Sequence, residues 1–402
     1  MATTLAKDIF YVGVNDPGLT VFDIVIPTEA GTTYNSYLVK GTEKTALIDC
    51  VKREFTDGWM KSIGEIVPVE KIDCLVINHS EPDHAGGIVD FLKRNPKVQV
   101  YLTRSAKTFI DNIVNGPYDA HVINDNEEIS LGGKTLRFMV QPFLHWPDTM
   151  FTYAVEDRVL FTCDFLGRHY ATGKIFDDEI EPSEKLKNAL IVYNSMIFRP
   201  FKEPVLQACE RIKDLPIAMV APSHGPVLRK SWREVMNIWR DRAAVPLEKR
   251  KTEKKVAIIY VSAYGNTTMM AKKVAEGVAA AGCKPELVNA AEVDIHRILD
   301  ELDESIGFLI GAPTLNSNLP EPIYAMLGYL VVLNVKGLTS SAFGSFGWSG
   351  EATKIVTDIM AAMRIKIFPE PIKFKMTPTE ADLQTCFEFG KKYAEAVGGA
   401  AA

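Results

Sequence analysis

From residue 256 onward, short apolar runs alternate with longer stretches of helical pattern. Runs at 256–260, 285–289, 306–310 and 340–343 read as strands, and stretches at 269–281, 295–302, from 320, from 351 and from 379 read as helices. Such alternation over about 150 residues predicts a doubly wound parallel α/β sheet. The first 245 residues differ. Apolar runs at 19–26, 34–39, 45–49, 72–78 and 98–103 follow one another with helical pattern between only some of them, which predicts α+β layering with sheets inside and helices outside. Between the two patterns, 247–255 (LEKRKTEKK) follows Pro246 with five cations, two anions and little to bury. It reads as a linker, so the expected division is a first domain at 1–247, a linker at 248–255 and a second domain at 256–402. The small-residue end, 397–402, reads as a frayed tail.

Composition adds exclusions. With 402 residues, 47% hydrophobic and 24% charged, the chain belongs with ordinary globular proteins large enough to bury a core in each domain. A net charge of -6 and no wide basic patch argue against a nucleic-acid face. The six cysteines form no C-x-x-C pair, so zinc ribbons, thioredoxin motifs and an appended rubredoxin are not expected, and the thiols read as small buried residues of a reducing compartment. The first residues lack the pattern of a secretory signal, and no apolar run has the length of a membrane span. A cytoplasmic protein that binds no membrane is expected.

The run at 72–78 ends in His79-Ser-Glu81-Pro-Asp83-His84, four potential ligands in six residues. By itself this could be a polar turn with Asp83 capping a helix. Three further runs end in similar chemistry. One at 138–144 leads into His145-Trp-Pro-Asp148, one at 158–163 into Asp164, and one at 217–222 into Ser223-His224-Gly225. A lone His at a strand end is commonly structural, but four strands delivering His, Asp and Glu to one sheet edge predict a binuclear metal site. These residues resemble the metallo-β-lactamase fold in its flavodiiron form. In the hydrolases of that fold the second ligand is usually His, and here it is Glu81. Glu81, Asp83 and Asp164 supply three negative charges beside neutral imidazoles, ligation suited to two redox irons more than to hydrolytic zinc. The resemblance implies an αββα sandwich in which His79, Glu81 and His145 hold one iron, Asp83, His84 and His224 the other, and Asp164 bridges. It also places His169 and Tyr193 beside the ligands. One departure is Asp23 after Phe22, where many members carry His, so a proton-delivering His is not implied there.

In the second domain, the run at 256–260 is followed by Ser262-Ala263-Tyr264-Gly265-Asn266-Thr267 and then a helix. Hydroxyls, Gly and Asn at a strand-to-helix turn present N–H groups and a helix dipole to a phosphate without the Lys of a Walker loop. Pro313, Thr314, Leu315 and Asn316 follow the run at 306–310, and Ser345, Phe346, Gly347, Trp348 and Gly350 follow the run at 340–343. These loops lie at the carboxyl ends of the first, third and fourth strands, around the switch point of a doubly wound sheet. Trp348 offers a face for a flat ring. This domain resembles flavodoxin, which implies FMN as cofactor.

The pairing of the two domains is similar to flavodiiron proteins, the A-type flavoproteins, and GTTYNSYLV at 31–39, HWPD at 145–148 and AFGSFGWSGE at 342–351 carry the resemblance. It implies an oxidoreductase that passes electrons from FMN to two non-haem irons and reduces O2 to water, NO to N2O, or both. A donor protein such as rubredoxin, or a reduced deazaflavin, would supply electrons. A head-to-tail homodimer, or a tetramer, is implied as the assembly. Two other classes stay open: a metallo-β-lactamase-fold hydrolase with a regulatory flavodoxin domain, which would take zinc, and an electron carrier with a decayed metal site.

Overall fold

The computed structural model describes residues 2–400. The chain folds as two compact units that divide between Asp241 and Arg242, rather than at 247.

In the first unit, a mixed seven-stranded sheet has the order Thr3–Ala6, Ile9–Tyr11, Tyr37–Lys40, Thr45–Ile48, Cys74–Ile77, Gln99–Leu102 and Asp119–Val122. A five-stranded sheet runs Glu128–Ser130, Thr135–Val140, Met150–Ala154, Val159–Cys163 and Met219–Pro222. Tyr37, Val39, Ile48 and Val76 of the first sheet pack against Phe138, Met150 and Phe161 of the second in one core. Leu38, Leu47, Leu75 and Val100 alternate to the opposite face and are equally buried. Strands covered on both faces explain why the sequence shows continuous apolar runs rather than alternation. The helices Thr56–Gly64, Ile88–Arg94 and Arg104–Val114 flank the first sheet, and Trp59 of one meets Phe91 of another with ring centroids 5.6 Å apart. Lys202–Ile212 flanks the second, where Arg211 Nη1 donates to Val140 O at 2.6 Å. The layering is the expected αββα sandwich.

Three first-unit runs are shorter or broken. The run at 19–26 becomes a small hairpin, Val21–Phe22 against Ile26–Pro27, turning through Asp23 and Ile24 at positive φ with Ile24 94% exposed. The run at 34–39 breaks because Asn35 N–H donates to Ser223 O at 2.8 Å instead of extending a ladder. The run at 138–144 stops at Val140, and residues 141–149 loop back through Gln141 N–H on Thr149 O.

The second unit holds a parallel sheet ordered Lys284–Asn289, Lys255–Tyr260, Gly307–Gly311 and Thr339–Phe346, with Lys366–Ile367 and Ile372–Lys375 both along the last edge. This is the expected doubly wound topology. Helices Asn266–Ala280 and Glu380–Ala400 cross at Gly277 and Gly390; a Cβ at either would lie 2.0–2.1 Å from a backbone oxygen of the other helix.

The expected linker is structured. Helix Trp232–Glu253 continues through Pro246, and Lys255 already belongs to a strand. Composition misled there because several charges of the stretch find partners: Lys249 Nζ lies 2.6 Å from Glu304, Lys255 Nζ 2.8 and 2.7 Å from Glu301 and Glu304, and Glu253 2.6 Å from Lys284 Nζ. The expected tail is also helical as far as Ala400, held by Tyr393 and Val397 in the core, while residues 401–402 lie outside the described ones. Among the described residues no helix is long and apolar enough to cross a membrane.

Candidate metal centre and flavin loops

Three strand ends and one loop of the first unit converge. Cys74–Ile77 delivers His79 and the short helix Pro82–Ala85, Val159–Cys163 delivers Asp164, Met219–Pro222 delivers His224, and the 141–149 loop delivers His145. All seven expected ligands come together in two clusters whose ligand atoms lie within 4.8 Å of one another, His79, Glu81, His145 and Asp164 in one and Asp83, His84 and His224 in the other. Asp164 faces both. Its Oδ2 lies 3.7 Å from His79 Nε2 and 3.9 Å from His145 Nε2, while its Oδ1 lies 3.1 Å from His84 Nε2 and 3.4 Å from His224 Nε2. Glu81 Oε2 sits 3.2 Å from His79 Nε2 and 3.0 Å from His145 Nε2. Asp83 Oδ2 sits 3.1 Å from His224 Nε2. The His84 ring is turned into the cluster, with Nε2 3.3 Å from Asp83 Oδ1.

The remaining ring nitrogens are held from outside. Asp148 lies 3.1 Å from His79 Nδ1 and also accepts from Ser80 N–H at 2.8 Å and Ser80 Oγ at 2.6 Å. His224 Nδ1 donates to Thr33 O at 2.6 Å. Both arrangements fix the tautomer that turns Nε2 inward, as metal-binding histidines require. Deeper, Asp49 accepts from Asn78 N–H at 2.7 Å and Asn78 Nδ2 at 3.0 Å, which pins the strand end before His79. Sequence reasoning quoted Asp148 but gave it no role, and it missed Asp49 and Thr33. The HWPD spacing was a usable signal for Asp148; a backbone carbonyl such as that of Thr33 leaves none.

Charge and burial are compatible with metal. Burial alone would raise the Glu81 carboxyl, but hydrogen bonds with His145 and His79 carry it well below the usual carboxylate range. Asp164 is likewise held low against burial by His84, His79 and His224. Both carboxylate oxygens of Asp83 and both ring nitrogens of His84 are buried yet make no well-directed hydrogen bond. Buried polar atoms left in that state are costly, and cations between the two ligand sets would satisfy them. Cys163 also approaches His84 and Asp164, but burial pushes its thiol well up, so it stands there neutral. Tyr193 O–H donates to Asp164 Oδ1 at 2.9 Å. His169 Nδ1 is 2.8 Å from Thr32 Oγ1, and its ring packs on Phe22 at 4.2 Å.

In the second unit, Gly265 adopts φ +85 immediately before helix Asn266–Ala280 and offers no side chain to cap it, while Ser262 Oγ accepts from Thr268 N–H at 3.3 Å. Thr267 Oγ1 lies 3.0 Å from Ser345 Oγ, Thr314 N–H donates to Ser345 O at 2.9 Å, and Ser317 Oγ lies 3.3 Å from Ser349 Oγ. The three loops therefore meet at one edge of the sheet, bringing Ser262, Ala263, Tyr264, Gly265, Asn266 and Thr267 beside Pro313 to Asn316 and Gly347 to Gly350. Ser345 and Phe346 are strand residues, not loop residues as expected, because Ile372–Lys375 pairs with that stretch as far as Phe346. Trp348 is 73% and Tyr264 91% exposed. A helix N-terminus ringed by hydroxyls and flanked by two exposed aromatic side chains suits a phosphate attached to a flat ring.

Residues 32–225 match the family model described as ODP family beta lactamase, and residues 258–390 match the flavodoxin model. The flavo-diiron protein of Clostridium acetobutylicum is 35% identical over 98% of this chain and 100% of its own length. This chain belongs to the flavodiiron proteins. Its architecture is thus a metallo-β-lactamase-like domain followed by a flavodoxin domain. Among other relatives, a nitric oxide reductase of Moorella thermoacetica is 31% identical over 97% of each chain. The solved structure of rubredoxin oxygen:oxidoreductase from Desulfovibrio gigas superposes with a TM-score of 0.72 at 29% identity, covering 99% of both chains.

Proposed function

We propose that this flavodiiron protein is an oxidoreductase that takes electrons from a donor protein such as rubredoxin, or from a reduced deazaflavin, and reduces O2 to water, NO to N2O, or both. The observation that carries the reading is Asp164, whose two oxygens face two separate ligand clusters, with the carboxylate of Glu81 completing the first. Two relatives bearing the names nitric oxide reductase and rubredoxin oxygen:oxidoreductase support it. His79, Glu81 and His145 would hold one iron, Asp83, His84 and His224 the other, and Asp164 both. FMN would lie on the loops of Ser262 to Thr267, Pro313 to Asn316 and Ser345 to Gly350. Bound there, the flavin would deliver electrons singly or in pairs, and the irons would supply redox equivalents and Lewis acidity.

The chain's own residues do the positioning. Asp148 and Thr33 O aim His79 and His224 inward. Burial, reinforced by Asp164, raises the Tyr193 hydroxyl well above its ordinary range, so Tyr193 keeps its proton and holds it against Asp164 Oδ1. Phe198 packs edge-on to His145 with centroids 5.9 Å apart and shields that side from water. A cytoplasmic setting fits six free, buried cysteines. A head-to-tail homodimer belongs to the same reading on family resemblance.

Metal and flavin analysis of the purified chain tests the proposal: two irons and one FMN per chain are expected, together with turnover of O2 or NO using chemically reduced rubredoxin or deazaflavin. Zinc in place of iron would favour the hydrolase, and flavin alone the electron carrier. Trp348→Ala is expected to weaken FMN binding about fivefold, the equivalent of ~1 kcal/mol of aromatic stacking. Titration of flavin-free protein checks this; an unchanged affinity would make Trp348 a bystander.

A further inference from the structure

Arg168 stands four residues beyond Asp164 yet plays no part in the ligand clusters. Its side chain is buried, with 6% of the residue exposed, and its Nε has no hydrogen-bond partner. Among the described residues no carboxylate makes an ion pair with its guanidinium. Two acidic groups that line the same groove do not pair with it: Asp177 accepts from the N–H groups of Arg229, Lys230 and Ser231 and from Ser231 Oγ, and the Glu234 side chain is exposed. The stem of Arg168 is fixed in place. Its N–H donates to His224 O at 3.3 Å, and Gly225, at φ +76, leaves room that a Cβ would lose by coming within 2.8 Å of Arg168 Cγ. A buried, unpaired cation is costly and is ordinarily matched by an anion.

Arg168 lines a groove of about 760 Å³, bounded by the loop around Asp177 to Ser183, the helix Glu184–Tyr193 and the start of helix Trp232–Glu253. That size suits a small organic ligand. Leu186, Leu190, Val235 and Ile238 give the groove an apolar wall. Lys187 and Lys230 on its lining are offset by Asp177, Asp178, Glu184 and Glu234, of which Asp178 pairs with Arg229 at 2.9 Å, so the buried guanidinium of Arg168 is the group that selects for an anion. A guanidinium presents paired N–H donors that match a carboxylate or phosphate.

We propose that this groove is a binding site for a small organic oxyanion, a carboxylate or phosphate whose apolar part rests on the leucine, valine and isoleucine wall while its head pairs with Arg168. The site is separate from the metal ligands and the flavin loops, so it stands whether or not the redox reading does.

Calorimetric titration of the full chain with hexanoate and with hexyl phosphate tests it, and the stronger of the two identifies the head group. Saturable binding of at least one probe at one site per chain is expected. Arg168→Gln should weaken that binding about tenfold or more, as loss of a charge-assisted pair does, and Lys187→Glu, at an exposed position on the same groove, should weaken it in the same direction. Absence of saturable binding by either probe would overturn the proposal, as would unchanged affinity in Arg168→Gln. Should that buried variant not fold, unchanged affinity in Lys187→Glu would overturn it equally.

Discussion

Glu81→His is expected to exchange iron for zinc and to reduce turnover of O2 or NO by about 100-fold or more, beyond the loss usual for residues that merely support a metal site. The cluster formed by His79, Glu81, His145 and Asp164 contains two carboxylates. With His at 81 it would contain three imidazoles and one carboxylate, the nitrogen-rich tetrahedral donor set that zinc accepts readily. The lost negative charge matters separately, because a more positive site disfavours the higher oxidation state. Local folding should survive, since residue 81 stands at the mouth of a short helix whose backbone bonds, such as Ala85 N–H to Glu81 O at 2.8 Å, do not depend on its side chain. The flavin loops belong to the other compact unit, so flavin content should remain at the wild-type level. Metal analysis beside flavin absorbance reads both quantities in one preparation. Two irons and full turnover in the variant would remove Glu81 from its place in the argument.

The ligands were legible because chemistry and chain position coincide. His79, Glu81, Asp83 and His84 fall within six residues, just beyond an apolar run too short for a helix. Asp164 and His224 are single residues, yet the first directly follows a strand and the second lies two residues beyond one, and parallel pairing of Val159–Cys163 with Met219–Pro222 puts both at the same end. The supports were less legible. Asp148 meets His79 across 69 residues, Asp49 meets Asn78 across 29, and Thr33 acts through its carbonyl, which every residue type possesses. Arg168 resembled any surface arginine until burial showed it without a partner. The stretch at 247–255 failed for the opposite reason: its composition is that of a solvated linker, and only the positions of Glu301 and Glu304 give Lys249 and Lys255 a reason to be ordered. Apolar patterning fixes which backbone segments are buried, whereas pairing of polar groups between distant segments depends on a tertiary geometry that a linear pattern does not contain.

Asp164→Asn is expected to keep the fold, lower iron from two per chain toward about one, and reduce turnover by an amount comparable with Glu81→His, because a neutral amide offers one acceptor oxygen where the carboxylate offers two. Which metal is lost follows from Tyr193. Its hydroxyl donates to Asp164 Oδ1 at 2.9 Å, and an Asn oxygen placed there would preserve that bond while still facing His84 and His224. The amide nitrogen then falls at the Oδ2 position, facing His79 and His145, and an N–H donor there repels a cation. The iron expected to remain is therefore the one held by Asp83, His84 and His224. The reverse flip would expose the amide nitrogen to the second cluster and give up the accepting role toward Tyr193, so Asp164→Asn combined with Tyr193→Phe should release that preference and leave iron distributed over both clusters. Metal analysis and Mössbauer spectra of ⁵⁷Fe-loaded single and double variants separate these outcomes: one dominant iron environment in the single variant, two in the double. Two irons and undiminished turnover in Asp164→Asn would show that Asp164 does not join the clusters, whatever its position between them.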